Sequence, residues 1–229
     1  MKIACLQNFA AEGPARIAGW AENRGHSLTG FIAREDLGID AGDYDAFVIM
    51  GGPMSANDAD ENPDVARALS LVRAFMDSGK PVLGVCLGAQ MMAIAIGGKV
   101  VPGTQAEIGW FPVFKTRETG HLLDEFPPEM TVFHWHGEQI QLPPGAKLLA
   151  SSRICPVQVF QWGSNCLGLQ CHLEVSEESL TDFLRVFADE VEEGGAAVQS
   201  SMEMMEGYST HGDEGERILY RILDRWIEG

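Results

Sequence analysis

A chain of 229 residues, 45% hydrophobic and 21% charged, is long enough to bury a full core and ordinary enough in composition to be globular. Its formal charge of −17, from 16 Lys and Arg against 33 Asp and Glu, argues against nucleic acid or an anionic membrane surface as the main partner, since both demand a basic footprint. Five cysteines, an odd number with no C-x-x-C pair, do not make a disulfide framework and point to a reducing compartment. With neither a secretory leader pattern nor a run of about 18 apolar residues, the cytoplasm is the expected location.

In chain order, residues 3–7 form a short apolar run, 14–23 carry helical spacing, and 27–33 are again strand-like. Residues 44–50 are β-rich and run into Gly51-Gly52-Pro53. Pro63 opens a helix over 63–77 that places Val65, Leu69, Val72 and Phe75 on one face, and 82–85 form a further buried strand. This alternation predicts an α/β fold: a mainly parallel central sheet flanked by helices on both faces, of flavodoxin-like type. Beyond it, 110–116, 130–135, 157–162 and 166–171 read as strands, and Ser176 caps a helix running to about residue 191. Over 189–216 the acidic, Gly- and Met-containing composition predicts an irregular stretch, followed by a closing amphipathic helix over 214–227. One domain over 1–191 is expected, with 192–229 as an acidic linker and a terminal helix packed on it.

Gly84-Val85-Cys86-Leu87-Gly88 lies where an apolar strand ends and a helix over 87–96 begins. A nucleophile at such a turn projects from the strand end, and small flanking residues relieve the crowding around it. The helix N-terminus favours a thiolate, so a lowered Cys86 pKa is expected. The Leu87 N–H, first on that helix, can stabilise an oxyanion. A cysteine nucleophile works with a histidine that carries its proton and a third group that orients the ring. His172, directly after the 166–171 strand, has Glu174 two residues on; in an extended segment both side chains share a face.

These residues resemble the class I, or triad-type, glutamine amidotransferases over roughly residues 2–191. Val48-Ile49-Met50-Gly51-Gly52-Pro53-Met54-Ser55 is similar to that family's oxyanion loop. Gly84 to Gln90 is similar to its G-x-C-x-G-x-Q elbow, and Gln170-Cys171-His172-Leu173-Glu174 to its Q-F-H-P-E motif. The likeness is strongest to stand-alone members similar to the amidotransferase domain of GMP synthetase. It implies hydrolysis of the glutamine γ-amide by Cys86, His172 and Glu174, with the Gly52 and Leu87 N–H groups as oxyanion hole and no cofactor. Met54, Gln90, Trp135, Gly137 and Glu138 would then hold the substrate. Cys171, Leu173 and Ala89 depart from the family pattern and are expected to border the pocket.

Three other readings stay open. The same triad would serve a γ-glutamyl peptidase. His134 and His136, with Glu138 nearby, could ligate a metal. A non-catalytic binding relative would keep the sheet but show an unreactive Cys86. Glu107-Ile108-Gly109-Trp110 reads as structural support. No GxxxxGK[ST] phosphate loop or second catalytic domain is visible, so ammonia would pass to a separate synthetase chain or to no acceptor.

Overall fold

Strand residues alternate between two cores. Ile3, Cys5, Val48, Leu83 and Val85 face one cluster, while Ala4, Leu6, Phe47, Ile49 and Val82 face the other. A sheet apolar on both faces must be covered on both, and the computed structural model, which describes residues 1–33, 38–117 and 121–228, shows how. Helices α1 (Ala15–Asn23) and α6 (Ser201–Glu228) contribute to the first cluster, and α2 (Pro63–Asp77) and α3 (Leu87–Ala95) to the second.

The nine strands are β1 (Lys2–Gln7), β2 (Ser27–Ile32), β3 (Ala46–Ile49), β4 (Val82–Val85), β5 (Lys99–Lys115), β6 (Glu129–Gln141), β7 (Lys147–Ser151), β8 (Val159–Trp162) and β9 (Cys166–Leu169). Their order is β2-β1-β3-β4-β9-β8-β7-β5-β6. The run from β2 to β9 is parallel, as the alternation predicts, and from β9 onward an antiparallel arm extends it. β7 and the first part of β5 were not legible in the sequence.

Local chemistry sets the helix starts. The Asn62 side chain accepts from the Asp64 and Val65 N–H groups ahead of α2, with Pro63 at its first turn. Ser176 and Ser179 form a reciprocal cap for α4 (Glu177–Val186), and α5 (Ala188–Glu193) follows at once.

The expectation of an irregular 189–216 stretch is corrected: α5 covers its beginning and α6, 28 residues long, absorbs everything from Ser201. Tertiary contacts override the weak local propensity of Gly207, Gly212 and Gly215. A Cβ on Gly207 would lie 2.2 Å from the Trp110 ring, so only glycine lets the helix rest there. The Trp110 indole donates to the Met204 carbonyl at 2.8 Å. Buried Arg16 donates to the Gly212 carbonyl and, at 2.7 Å, to the Tyr208 hydroxyl. Further along, Ile218, Leu219, Ile222 and Trp226 are sealed in the core beside Trp20. The expected 192–229 segment therefore carries core as well as surface; its last residue, Gly229, lies outside the described residues. No helix among the described residues is long and apolar enough to cross a membrane.

Candidate active site

The β4–β9 pairing brings distant parts of the chain together. Gly84 pairs with Gly168 and Val85 with Leu169 in parallel register, and the Cys86 N–H donates to the Leu169 carbonyl at 2.7 Å. Both strands thus end at the same rim, where ligands of open α/β sheets bind. Cys86 has φ 51°, ψ −108°, a conformation rarely held by a residue with a side chain. It persists because its neighbours leave no alternative: Cβ atoms on Gly84 and Gly88 would lie 2.6 Å from the Gly88 backbone and 2.1 Å from the Ile49 carbonyl oxygen.

Past β9 the chain makes a bridge to β6, the His172 N–H donating to the Phe133 carbonyl at 2.8 Å. This anchors the ring, and Nδ1 lies 2.7 Å from Glu174 Oε1. The other ring nitrogen, Nε2, is buried with no acceptor in hydrogen-bonding geometry. It is close enough to Cys86 for the thiol and the ring to shift each other's ionisation.

A cavity of about 230 Å³ opens over Cys86. That suits an amino-acid-sized ligand and falls below the roughly 300–1,000 Å³ of drug-sized clefts. Of the residues singled out in the sequence, Gly52, Met54, Cys86, Gln90, Trp135, Gly137 and Glu138 line it. His172 and Glu174 do not; they sit behind the thiol, 1% and 4% exposed. The Leu87 side chain packs beneath the Gly52 loop, where a Gly52 Cβ would come within 3.1 Å of it. Among the described residues neither the Gly52 nor the Leu87 N–H donates to a protein acceptor. Ser55 donates to Glu138 Oε1 at 2.9 Å, and the Trp135 carbonyl lies 3.7 Å from the Cys86 sulfur. Ala89, Cys171 and Leu173, expected to border the pocket, do not line it: they are packed in the core.

Residues 21–191 match the family model for glutamine amidotransferase class-I. The chain belongs to the class I glutamine amidotransferases. It is similar to the glutamine amidotransferase-like protein YfeJ of Salmonella typhimurium, with 30% identity over 98% of this chain and 96% of that protein. A glutamine-hydrolyzing GMP synthase subunit of Methanoregula boonei is 36% identical over 62% of this chain and 71% of its own length. The γ-glutamyl peptidase 4 of Arabidopsis thaliana is 27% identical over 81% and 74%. Among solved structures, a glutamine amidotransferase of Thermotoga maritima superposes with a TM-score of 0.92 at 25% identity, covering 100% of this chain and 99% of that one.

The electrostatics of this amidotransferase-family site correct one expectation. Burial pushes the Cys86 thiol above its ordinary value, where a lowered one was expected. The His172 ring works against burial by pulling the thiol back down. Burial likewise disfavours charge on His172, but the charge of Glu174, the hydrogen bond to it and the nearby Cys86 thiol hold its pKa well above the usual imidazole range. Cys5, Cys155 and Cys166, pushed up to about 12, 12 and 11, have no imidazole beside them to offset burial.

Three further contributors were not singled out as site residues in the sequence: Gln170 lies in the closing motif, and Glu190 and Glu12 lie in none. The Gln170 amide N–H lies 3.7 Å from the Cys86 sulfur. Glu190, on α5, accepts from the Trp135 indole at 3.0 Å. Glu12, 7% exposed, lines the cavity against Gly51, whose missing Cβ is what makes room for it: Oε2 would be 1.9 Å away. Burial raises the Glu12 pKa to about 7, His172 working against the rise and Glu174 and Glu190 adding to it.

A stability test follows from that shift. The folded carboxyl holds its proton from the ordinary 4.5 up to about 7, so its contribution is unchanged below 4.5, declines through that window and levels off above it. Glu12→Gln therefore melts higher than the native protein at pH 8, by the equivalent of about 3 kcal/mol, with the gain shrinking toward pH 5. Thermal melts at the two pH values check this; an equal gain at both would show that Glu12 is not the group titrating.

The two histidines expected to share a strand face do meet a carboxylate, but it is Glu107, not Glu138. One ligand-type atom each from Glu107, His134 and His136 lies within 4.8 Å of the others. Glu107 Oε2 already accepts from Ser152 at 3.0 Å and Gln158 at 2.8 Å, and burial lowers the His134 pKa to about 3. The cluster lies behind the cavity, which only His136 of the three lines. As a buried polar network it holds β6, and with it Trp135 and His136, in register against β5.

Proposed function

We propose that the protein hydrolyses γ-glutamyl amides, glutamine first among them, through a cysteinyl thioester. The observation that carries this reading is the 2.7 Å His172–Glu174 pair on the segment beside Cys86, with the ring's second nitrogen unpartnered and coupled to the thiol. Glu174 fixes the tautomer and favours the imidazolium, leaving Nε2 to exchange a proton with sulfur.

In the cycle, Cys86 gives its proton to His172 and its sulfur attacks the γ-carbonyl carbon. The oxyanion is received by the unpaired N–H groups of Gly52 and Leu87. His172 returns the proton to the leaving nitrogen, the C–N bond breaks, and the γ-glutamyl thioester remains. Water then loses a proton to His172 and attacks; the C–S bond breaks, glutamate leaves and the thiol is restored. Glu138, held by Ser55, takes the substrate ammonium, while Met54, Gln90, Trp135 and Gly137 shape the glutamyl pocket.

Ammonia from glutamine passes to a separate synthetase chain, a reading supported by the similarity to the Methanoregula GMP synthase component. A second reading, γ-glutamyl peptidase, is favoured by the likeness to the Arabidopsis peptidase. Ammonia release from glutamine, measured beside cleavage of γ-glutamyl dipeptides, tests both. Intact-mass analysis of acid-quenched turnover is expected to show one γ-glutamyl group on the protein. Inertness toward both substrate types, with no adduct, would sink the reading.

A further inference from the structure

The cavity is charged in one direction. Glu12, Glu138 and Glu190 line it, and among the described residues no Lys or Arg does. Glutamine, a zwitterion, matches one of these carboxylates with its ammonium and brings a carboxylate of its own. Two carboxylates then remain in a partly desolvated site, Glu12 offset only in part by the His172 ring, an arrangement that costs energy unless a further cation meets it.

Those two lie together at the reacting end. Glu12 sits against Gly51 next to Cys86, where a Gly51 Cβ would be 3.4 Å from the Cys86 Cβ. It has no hydrogen bond or ion pair from its side chain to any described residue, although the residue is only 7% exposed. Glu190 spends one oxygen on the Trp135 indole, and its charge acts on Glu12. Between and beside them, the rings of Trp135 and Phe187, 5.8 Å apart, supply an apolar wall. Ser55 and Glu138 are tied to each other by a separate bond. An apolar strip ending in buried carboxylate is the complement of an alkyl chain ending in ammonium.

We propose that Glu12, Glu190, Trp135 and Phe187 form a leaving-group subsite for a cationic alkylamine, so that the preferred substrates are mono-γ-glutamyl amides of aliphatic diamines. This rests on the thioester hydrolysis proposed above and names its substrate class. The reaction balances as before: γ-glutamyl–NH–R–NH₃⁺ and water give glutamate and the diamine. The amide C–N bond is exchanged for C–S and then for C–O, with His172 carrying the proton to the departing nitrogen. The distal ammonium takes no part in bond making. It pairs with Glu12 and Glu190, while the methylene chain covers the Trp135 and Phe187 rings.

The test uses the full chain and three γ-glutamyl amides of similar length, those of putrescine (cationic end), pentylamine (neutral end) and γ-aminobutyrate (anionic end), with glutamine alongside. The expected kcat/KM order is cationic, then neutral, then anionic, with about 10-fold between the first two and about 100-fold or more between first and last. In Glu190→Gln and in Glu12→Gln the cationic-to-neutral ratio falls toward one, mainly through KM. A cationic amide no better than the neutral one, or a ratio unmoved in both variants, overturns the proposal.

If glutamine and all three amides are inert, the hydrolytic reading fails first. Calorimetric binding of the same compounds to Cys86→Ala then judges the subsite separately. Tighter binding of the cationic amide supports it, and equal or reversed affinities overturn it.

Discussion

Cys86→Ala lowers kcat/KM for glutamine and every γ-glutamyl amide by about 10⁴-fold or more, while the melting temperature stays within a few degrees of the native value. The size follows from what is removed. Without sulfur no thioester can form, and the remaining N–H donors and pocket walls can only bind and polarise the amide. The small effect on stability follows from geometry: alanine keeps the Cβ, and the φ of 51° is imposed by Gly84, Gly88 and the β4–α3 turn, not by the sulfur. His172→Gln is the companion variant. It removes the one neighbour whose ring draws the thiol downward against burial, so alkylation of Cys86 at neutral pH slows and its pH midpoint moves up. Ammonia release with progress curves, circular dichroism and iodoacetamide labelling supply the readouts. Substantial glutaminase activity in Cys86→Ala would remove the thiol from the chemistry.

Gly88→Ala is expected to cost stability on the scale of the fold itself. Its Cβ would be placed 2.1 Å from the Ile49 carbonyl oxygen and 2.8 Å from the Ile49 carbonyl carbon, both backbone atoms that cannot rotate away. Helix α3 would have to lift off β3, opening the packing of Met91 and Met92 and displacing Cys86 at its first turn. Overpacking of this kind costs about 3 kcal/mol or more, a large part of the 5–15 kcal/mol that holds a typical domain. For a chain of this size that is a fall of about 10 °C in Tm, with activity lost in the same variant. Gly137→Ala is the control: no atom lies within 4 Å of the position its new methyl group would take, so its melting is unchanged. Equal melting of the two variants would show that α3 does not approach the sheet so closely.

The parts of the molecule that could be read early are those with a local cause. The 63–77 helix is legible because Pro63 and the Val65–Leu69–Val72 stripe each act within a few residues, and 82–85 is legible because it is a short, mostly apolar run leading into the Cys86 turn. His172 and Glu174 could be paired because two residues of extended chain always share a face. By contrast, β7 has only five residues, with little alternation to reveal it, and its strand state comes from pairing with β8 and β5. Glu12 and Glu190 belong to no motif; each reaches the cavity because of where a turn and a short helix dock.

Neighbours along the chain were therefore enough for the elbow at Cys86, the His172–Glu174 pairing, the parallel half of the sheet and the family resemblance. Three things came from packing and from nothing local: that Glu107 rather than Glu138 joins His134 and His136, that burial raises the Cys86 thiol, and that residues 201–228 form one helix. Each depends on groups many positions away. A cross-strand register, the exclusion of water, and a glycine facing the Trp110 ring are properties of packed surfaces, and no window of consecutive residues contains them.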